Sequence, residues 1–304
     1  MSAAPDSPAA TAAAGAMRSG WLARLGRARA LRKLARHGSF LSGLAVFVLV
    51  VATALAADLV ATLPHDEMDM MNRFKPPSWQ FPFGTDNFGR DIYARVVHGA
   101  RLSLEIGLAV VAISGLLGAA LGALAGYFQR LDNPIMRVMD ALMAFPSIML
   151  AIAIAAALGP SAANAVIALA AVYTPRTARI VRASVLVLRE MDYVTAAQCC
   201  GAGDTRILLT HILPNSLAPL IVQLTFVFAY AVIAEAVLSF LGVGAMPPTP
   251  TWGNIIAEGR NYIREAPWIC LFPGVAIALT VLGLNLLGDG LRDAFDPRLK
   301  VQHG

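Results

Sequence analysis

Lysine is almost absent from this chain, which contains only Lys33, Lys75 and Lys300. None of them precedes Ser or Thr, whereas a phosphate-binding loop needs Gly-Lys-Ser/Thr so that the ammonium group reaches the nucleotide phosphates. The five histidines form no His-Glu-x-x-His pair, and no Gly-x-Ser-x-Gly elbow is present. These absences argue against a P-loop ATPase, a zinc protease and an α/β-hydrolase, and we predict that the chain is not an enzyme.

Cysteine and charge are also scarce. The three cysteines, Cys199, Cys200 and Cys270, show no paired spacing, so neither a disulfide framework nor a zinc site is indicated. Charged residues make up 14% of the 304 residues and hydrophobic residues 57%, whereas about a quarter of an average soluble domain is charged. The composition predicts a membrane protein. The net charge of +5 does not indicate a nucleic-acid partner, because the cations flank apolar runs.

Six predominantly apolar runs are each long enough for a membrane span, which takes about 20 residues. One uncharged run of 35 residues, from Ala141 to Pro175, is too long for a single helix, and Gly159-Pro160-Ser161 divides it. We therefore predict an all-α membrane protein with six transmembrane helices in one domain over residues 40–294. The predicted spans are 40–61, 105–128, 138–158, 163–183, 216–242 and 267–289.

The segment before the first span is basic. Residues 1–16 are rich in Ala, Ser and Pro, and residues 18–36 carry seven Arg or Lys. A signal peptide can look like this, but the apolar run from Phe40 to Ala57 is too long for a typical signal-peptide core and no convincing cleavage site follows. We predict a disordered, basic cytoplasmic segment over 1–39 and a retained first span. Residues 295–304 are predicted to be a cytoplasmic tail.

The distribution of arginine and lysine predicts the orientation. With a cytoplasmic N-terminus, the inside segments hold 17 Arg or Lys and the outside segments hold seven. The positive-inside rule therefore places both termini in the cytoplasm and residues 62–104 and 243–266 outside. The outer loop 74–91, rich in Pro, Phe and Gly, is either an interfacial turn with aromatic anchors or a contact for an extracytoplasmic partner.

Several charged groups near the membrane have two interpretations. Glu235, inside the fifth span, is either a packed, hydrogen-bonded residue or a proton carrier; we favour packing, because Asp58 and Glu105 can reach the interface and no internal repeat is present. Arg176, Arg179 and Arg182 are either orientation anchors, which we favour, or substrate ligands. Residues 65–71 could attract a metal, but no spacing sets a coordination geometry, and we predict a solvated acidic loop. Five glycines in the second span predict close helix packing: Gly107, Gly115, Gly118, Gly122 and Gly126.

Residues 192–215, which we call the insert, form a polar stretch between apolar runs and fall on the cytoplasmic side. A first helix is predicted from Asp192 to Gly201, since glycine suits the left-handed turn after a helix. Asp204 is predicted to cap a second helix that ends at Leu213, where Pro214 blocks continuation. The layout favours docking on a partner.

The insert resembles a motif of the permease subunits of bacterial ABC importers, in the dipeptide, oligopeptide and nickel group. That motif runs Glu-Ala-Ala, three residues, Gly, nine residues and Ile-x-Leu-Pro, and Thr195-Ala196-Ala197, Gly201 and His211-Ile212-Leu213-Pro214 match its spacing. Thr195 replaces the acidic residue and His211 the first Ile. Residues 84–91 (Gly-Thr-Asp-Asn-Phe-Gly-Arg-Asp) are similar to another signature of the family, as are 236–242, 247–253 and 285–298.

The resemblance implies a type I ABC importer transmembrane domain whose cytoplasmic coupling helices dock on an ATPase subunit. ATP and magnesium would be bound by two ABC ATPase subunits, so no cofactor is expected on this chain. The other implied partners are a homologous permease in a heterodimer, a periplasmic or lipid-anchored solute-binding protein, and membrane lipids. The implied ATPase-coupling residues are Thr195, Ala196, Ala197, Gly201, Asp204, Arg206, His211, Leu213 and Pro214, with Ile207, Leu208 and Leu209 as apolar contacts.

The implied function is that of a multi-pass permease of the bacterial cytoplasmic (inner) membrane. With a second permease it would form the path for peptides of the dipeptide and oligopeptide class, delivered by the binding protein. Nickel or metal chelates and glutathione are alternative substrates. An ion-coupled secondary transporter that uses Glu235, and a structural scaffold without transport, are the competing functions.

Overall fold

The computed structural model of the chain describes residues 37–61 and 63–295. In these ranges the regular structure is helical, and the sole pairing of extended backbone is an isolated bridge between Thr85 and Asp91. Most of the predicted terminal segments, 1–39 and 295–304, lies outside the described residues. The helices are α1 (Gly38–Leu55), α2 (Ala57–Val60), α3 (Ile92–Tyr127), α4 (Gln129–Met143), α5 (Ser147–Leu158), α6 (Ala162–Leu188), α7 (Asp192–Cys199), α8 (Asp204–Ile207), α9 (Leu213–Phe240), α10 (Trp252–Gly259) and α11 (Trp268–Phe295), with 3₁₀ turns at Met70–Asn72 and Arg260–Tyr262 and a π turn at Leu208–Ile212.

Helix α3 packs closely along α6, and glycine makes this possible. Gly118, Gly122 and Gly126 stand one turn apart on α3, facing α6. A Cβ at Gly122 would lie only 2.4 Å from the carbonyl oxygen of Ala178, so any larger residue would push the two backbones apart. The close packing predicted for this glycine-rich helix is confirmed.

The bundle has two ends, which we name for what they carry. Helices α3 and α6 begin at the loop end, beside the connections 61–91 and 241–267, and finish at the insert end, beside the insert. Helix α11 ends beside the first turns of α9, and His37 before α1 lies 3.3 Å from Asp293 on α11 (Nε2 to Oδ2). Both ends of the described chain are therefore at the insert end, as an even number of crossings requires.

The count of spans depends on two unusual elements. Within the described part of the chain, four helical segments could cross a membrane by length and composition alone: Gly38–Leu55, Ile92–Tyr127, Asp204–Phe240 and Trp268–Phe295. The pair α4 and α5 makes a fifth if it is counted as one span. Helix α6 has 27 residues, but Arg176, Arg179 and Arg182 occupy its second half. The count of six therefore remains a prediction.

The predicted third span, 138–158, is not one straight helix. Helices α4 and α5 meet at 90° around Ala144-Phe145-Pro146. The residue before a proline is disfavoured in helical conformation, and proline cannot donate to the helix ladder, so the chain turns there. The twelve residues of α5 rise only about 18 Å, against a hydrocarbon thickness of roughly 30 Å.

The second predicted span also differs from its helix. Helix α3 begins at Ile92, 13 residues before the predicted start at Glu105, and its 36 residues extend about 54 Å. Composition marks where lipid could begin but not where a helix begins, because Arg95, His98 and Arg101 are polar without disrupting helical hydrogen bonds. The additional turns hold α3 against the loop end.

Candidate partner-docking site

The first helix of the insert forms and ends as its sequence predicts. Helix α7 starts at Asp192, and Gly201 follows it with φ of +79°. The N–H of Gly201 donates to the carbonyl of Gln198 (2.9 Å), and the N–H of Ala202 to that of Ala197 (3.0 Å). This pair of bonds is the Schellman ending, which requires a left-handed residue and therefore favours glycine.

The second helix does not end at Pro214, so that prediction is wrong. Helix α8 passes through the π turn Leu208–Ile212 directly into α9, and residues 204–240 form one continuous helical segment. In a regular α-helix the ring of Pro214 would clash with the carbonyl of Thr210. The wider π turn displaces that carbonyl, so the insert is joined rigidly to a long helix of the bundle.

Aliphatic side chains fasten the insert to the bundle. Val194, Ile207 and Ile212 are fully buried, in a cluster that includes Val181 and Val185 of α6. Burying such a side chain contributes roughly 1.5–3 kcal/mol relative to exposing it. Two of the apolar contacts predicted for a partner are therefore internal: Ile207 and Leu208 pack within the chain, and Leu209 is the exposed one.

The predicted coupling residues lie together on the outer side of this anchor. The exposed ones are Thr195, Ala196, Gly201, Asp204, Arg206 and Pro214, and the half-buried ones are Ala197, His211 and Leu213. Six of these nine residues line one of two concavities. A depression of about 250 Å³ is lined by Ala197, Gly201, Arg206 and His211, with Cys200 and Ala202.

The larger concavity was not expected from the sequence. It has a volume of about 750 Å³ and lies between the insert and the junction of α3 and α4. Thr195 and Asp204 line one side, and Arg130, Arg189 and Glu190 contribute charge. Sequence spacing could not reveal it, because Arg130 and Asp204 come together only through the packing of α3 on α6.

Hydrogen bonds connect the end of α3 to the insert and to the end of α6. The hydroxyl of Tyr127 donates to the Asp204 carboxylate of the insert (2.8 Å), and the guanidinium of Arg189, which follows α6, donates to the carbonyl of Gly126 (3.1 Å). The last turn of α3 is therefore bonded both to the insert and to the residue that follows α6.

A buried ionic cluster at the loop end also escaped the sequence analysis. The fully buried Asp86 carboxylate accepts from the Nε of Arg90 (2.6 Å) and the Nη1 of Arg95 (2.8 Å). Glu258 of α10 accepts from both guanidiniums, with Nη1 of Arg95 at 2.8 Å. The two acids balance the two bases, so the cluster joins the outer loop to α10 without a buried net charge.

The turn around this cluster leads directly into α3. Asp91 caps that helix, since its carboxylate accepts from the N–H groups of Tyr93 (3.1 Å) and Ala94 (3.2 Å). Burial raises the pKa of the Asp91 carboxyl, against the opposing effect of these two bonds. The 84–91 signature that carries the family resemblance is therefore a structural junction in this chain.

The aromatic residues of the outer loop differ in exposure, and the choice between an interfacial turn and a partner contact stays a prediction. Phe83 stacks on Phe272 of α11 with ring centroids 3.9 Å apart, and Phe81 is buried. Trp79 is fully exposed. The possible metal site at residues 65–71 is a separate question. In the ranges 37–61 and 63–295 no group of three or more metal-ligating side chains could hold a metal ion. His65 instead stacks on His98, with ring centroids 4.8 Å apart.

Glu235 is buried and hydrogen-bonded, as the packing interpretation expects. Its carboxylate accepts from the hydroxyls of Ser103 (3.1 Å) and Ser239 (2.7 Å). These hydroxyls in turn accept from the backbone N–H groups of Trp252 and Ala245, both at 3.3 Å. Glu235 thereby ties α3 and α9 to the connection that follows α9.

The chain is thus a bundle of long apolar helices with an exposed helical insert, and this architecture also occurs in a transporter subunit of known structure. A chain of the MetNI methionine ABC transporter, solved in inward-facing conformations, shares this fold: TM-score 0.55 and 19% identity, covering 67% of this chain and 98% of that one. The fold is that of a type I ABC importer transmembrane domain.

The sequence comparisons then identify the family. Residues 116–301 match the binding-protein-dependent transport system inner membrane component family, and residues 27–77 match the N-terminal TM domain of oligopeptide transport permease C. A putative peptide transport system permease protein of Brucella abortus is 56% identical over 89% of this chain and 92% of its own length. A dipeptide transport system permease protein of Alkalihalophilus pseudofirmus is 47% identical over 89% and 90%. The chain belongs to this family of inner membrane transport permeases.

Proposed function

We propose that the chain is a permease subunit of an ATP-driven peptide importer, with the insert docked on an ATPase subunit in the cytoplasm. The observation that carries the proposal is the mounting of the insert. Val194 and Ile207 anchor it, while Thr195, Ala196 and Gly201 are left at the surface. Small exposed residues on a rigid base allow a partner's backbone to approach closely.

The coupling residues form a receptor for such a partner. The depression between α7 and α8 can take up a partner side chain, with Arg206 and His211 at its edge. Thr195 supplies a hydroxyl where the family motif has a carboxylate, and Asp204 keeps one carboxylate nearby. The replacement changes the polar contacts available to the ATPase, and the shape of the surface still supports docking.

The energy of ATP then enters the bundle through the insert. Two ATPase subunits, which hold ATP and magnesium, close and move the insert. The bond between Asp204 of the insert and Tyr127 carries α3 along, and the bond between Arg189 and Gly126 couples the end of α6 to α3. Rocking of this bundle against a homologous permease opens the path between them alternately to each side. Both termini face the cytoplasm, and the loop end receives peptide from a solute-binding protein.

The ion-coupled alternative has less support. A proton carrier needs access to water during its cycle, and Glu235 is fully buried between two serine hydroxyls that are themselves engaged by backbone N–H groups. That arrangement suits a structural link between α3, α9 and the following connection.

The test is reconstitution of the chain with a second permease, two ATPase subunits and a binding protein in proteoliposomes. Uptake of a radiolabelled dipeptide should require ATP and be unaffected by collapse of the proton gradient. Glu235→Gln keeps the size of the side chain and should retain ATP-driven uptake. Uptake that persists without ATP would contradict the proposal. So would uptake that is lost both when the proton gradient is collapsed and in the Glu235→Gln variant. Stronger competition by a nickel chelate or by glutathione than by unlabelled dipeptide would contradict the peptide assignment alone.

A further inference from the structure

Three arginines at identical spacing on α6 have different surroundings. Arg179 pairs with Asp140 (2.7 Å), and Arg182 binds Asp132 with two bonds of 2.5 and 2.6 Å; both carboxylates belong to α4. Arg176, one turn nearer the loop end, has no carboxylate partner among residues 37–61 and 63–295. Carboxylates therefore neutralise Arg179 and Arg182, and no carboxylate of the described residues does so for Arg176.

Arg176 instead lies over an aromatic ring. Its guanidinium carbon is 5.8 Å from the ring centroid of Tyr230 on α9, and Tyr230 is 46% exposed. The hydroxyl of Tyr173, one turn earlier on α6, donates to the backbone carbonyl of Tyr230 (3.3 Å). The ring face orients the guanidinium while leaving its N–H groups free to bind a ligand.

Arg176 also lines a groove in the half of the bundle nearer the insert end. Helix α9 forms the floor with Val222, Gln223 and Phe226, and α6 and α11 form the walls. Arg292 of α11 adds a second cation. The volume of about 480 Å³ falls in the range of small-molecule sites, which is roughly 300–1,000 Å³.

This chemistry does not suit contact with lipid tails. Arg176 is 14 residues from the start of α6 and 12 from its end, so it stands near the middle of the helix. An arginine exposed to hydrocarbon is costly and as a rule faces a bundle interior or a water-filled cavity. Two cations beside Gln223 therefore suit an aqueous face that can take an anionic ligand better than a lipid-facing one.

We propose that this groove lines the translocation path and that Arg176 binds the C-terminal carboxylate of the peptide. The inference rests on the proposed function. A peptide carboxylate that leaves water must be neutralised, and a guanidinium offers two parallel N–H donors that match its two oxygens. Gln223 and Arg292 add hydrogen-bond donors in the same groove, and Phe226 adds an apolar wall for a side chain.

The experiment compares a free carboxylate with an amide. Radiolabelled alanyl-alanine and its C-terminal amide are offered to the purified complex without binding protein, and binding is measured by scintillation proximity; ATP-driven uptake is measured in proteoliposomes. Arg176→Ala should weaken binding of the free acid about tenfold or more, because a charge-assisted bond is lost. The affinity of Arg176→Lys for the free acid should lie between those of the wild type and Arg176→Ala, since lysine keeps the charge without the planar guanidinium. Arg179→Ala, one turn away, should bind like the wild type.

The amide identifies the interacting group. It should bind the wild type weakly and be insensitive to Arg176→Ala. If Arg176→Ala loses binding of the acid and of the amide equally, the proposal is overturned. It is also overturned if the loss of binding appears only when anionic phospholipid is present, since the groove would then bind a lipid headgroup. Failure of Arg176→Ala to assemble with the second permease, with normal binding per assembled complex, would assign Arg176 to that interface. A wild type without ATP-dependent uptake contradicts the proposed function; normal uptake with an unaffected Arg176→Ala contradicts this inference alone.

Discussion

The loop end and the insert end of the bundle use different kinds of contact. At the loop end, Asp86 and Arg95 are buried with Arg90 and Glu258 and are satisfied within the chain. At the insert end, aliphatic residues such as Val194 form the anchor, and polar residues remain at the surface. Both regions carry family signatures. One signature is therefore buried within the fold of this chain, while the other leaves polar and small residues exposed, as the proposed docking on a second protein requires.

The largest effect should come from the ionic cluster of the loop end. Arg95→Ala leaves Asp86 buried without one of its two guanidinium partners, and removing one partner of a buried pair costs about 3–5 kcal/mol. Thermal unfolding of the purified protein in detergent should show a much lower Tm. Arg206→Ala, at the exposed insert surface, is the matched control and should change the free energy of unfolding by less than about 0.5 kcal/mol. Equal Tm values for the two variants would remove the distinction between the ends.

A smaller effect is expected in the turn of the insert. Gly201 and Gly203 both have open space where a Cβ would stand, but only Gly201 has a positive φ, +79°. A non-glycine residue in that conformation costs roughly 1–2 kcal/mol. Gly201→Val should therefore distort the turn and lower uptake per ATP hydrolysed in the reconstituted transporter, while the protein still folds.

Gly203→Val is the control for that experiment, because Gly203 has φ of −71° and a side chain there meets no strain. Gly201→Asn should recover part of the coupling, since asparagine tolerates the left-handed region. Equal coupling ratios in Gly201→Val and Gly203→Val would count against a docking role for the turn.

The smallest effect concerns pH at the loop end. Burial, and then the neighbouring charge of His98, lower the pKa of His65 from its usual 6.5, while Asp66 opposes the shift. The folded state therefore favours neutral His65, and this contribution to stability is present above pH 6.5 and is lost as the pH falls through the lowered pKa. Amide hydrogen exchange in residues 63–72 should speed up on acidification, after correction for the intrinsic pH dependence of exchange.

His65→Phe keeps an aromatic ring over His98 and cannot take up a proton, so it should flatten that pH dependence. The insert lacks such a stacked histidine pair within the described ranges, and its exchange should change less over the same pH interval. A similar acceleration in residues 192–207 would show that acidification loosens the bundle as a whole.

Local sequence signals predict some features correctly and others wrongly. Helix α7 and its ending at Gly201 follow from single residues and their backbone preferences, and the structure confirms them. The predicted cap at Asp204 is wrong, because Gly203 is the N-cap residue and no side-chain hydrogen bond caps that helix. Proline blocks a regular α-helix, but the π turn before Pro214 lets the helix continue. The apolar composition of 138–158 predicts one span and does not reveal the bend between α4 and α5.

The membrane class, the apolar helices, the row of glycines on α3 and the position of the insert follow from the sequence alone, because each depends on residues close together in the chain. Which charges are neutralised follows from the packing of the helices. Arg176, Arg179 and Arg182 have the same side chain and the same spacing, yet α4 supplies carboxylates to two of them and Tyr230 of α9 supplies a ring to the third. Electrostatic partners come from distant parts of the chain, so their assignment requires the packed bundle.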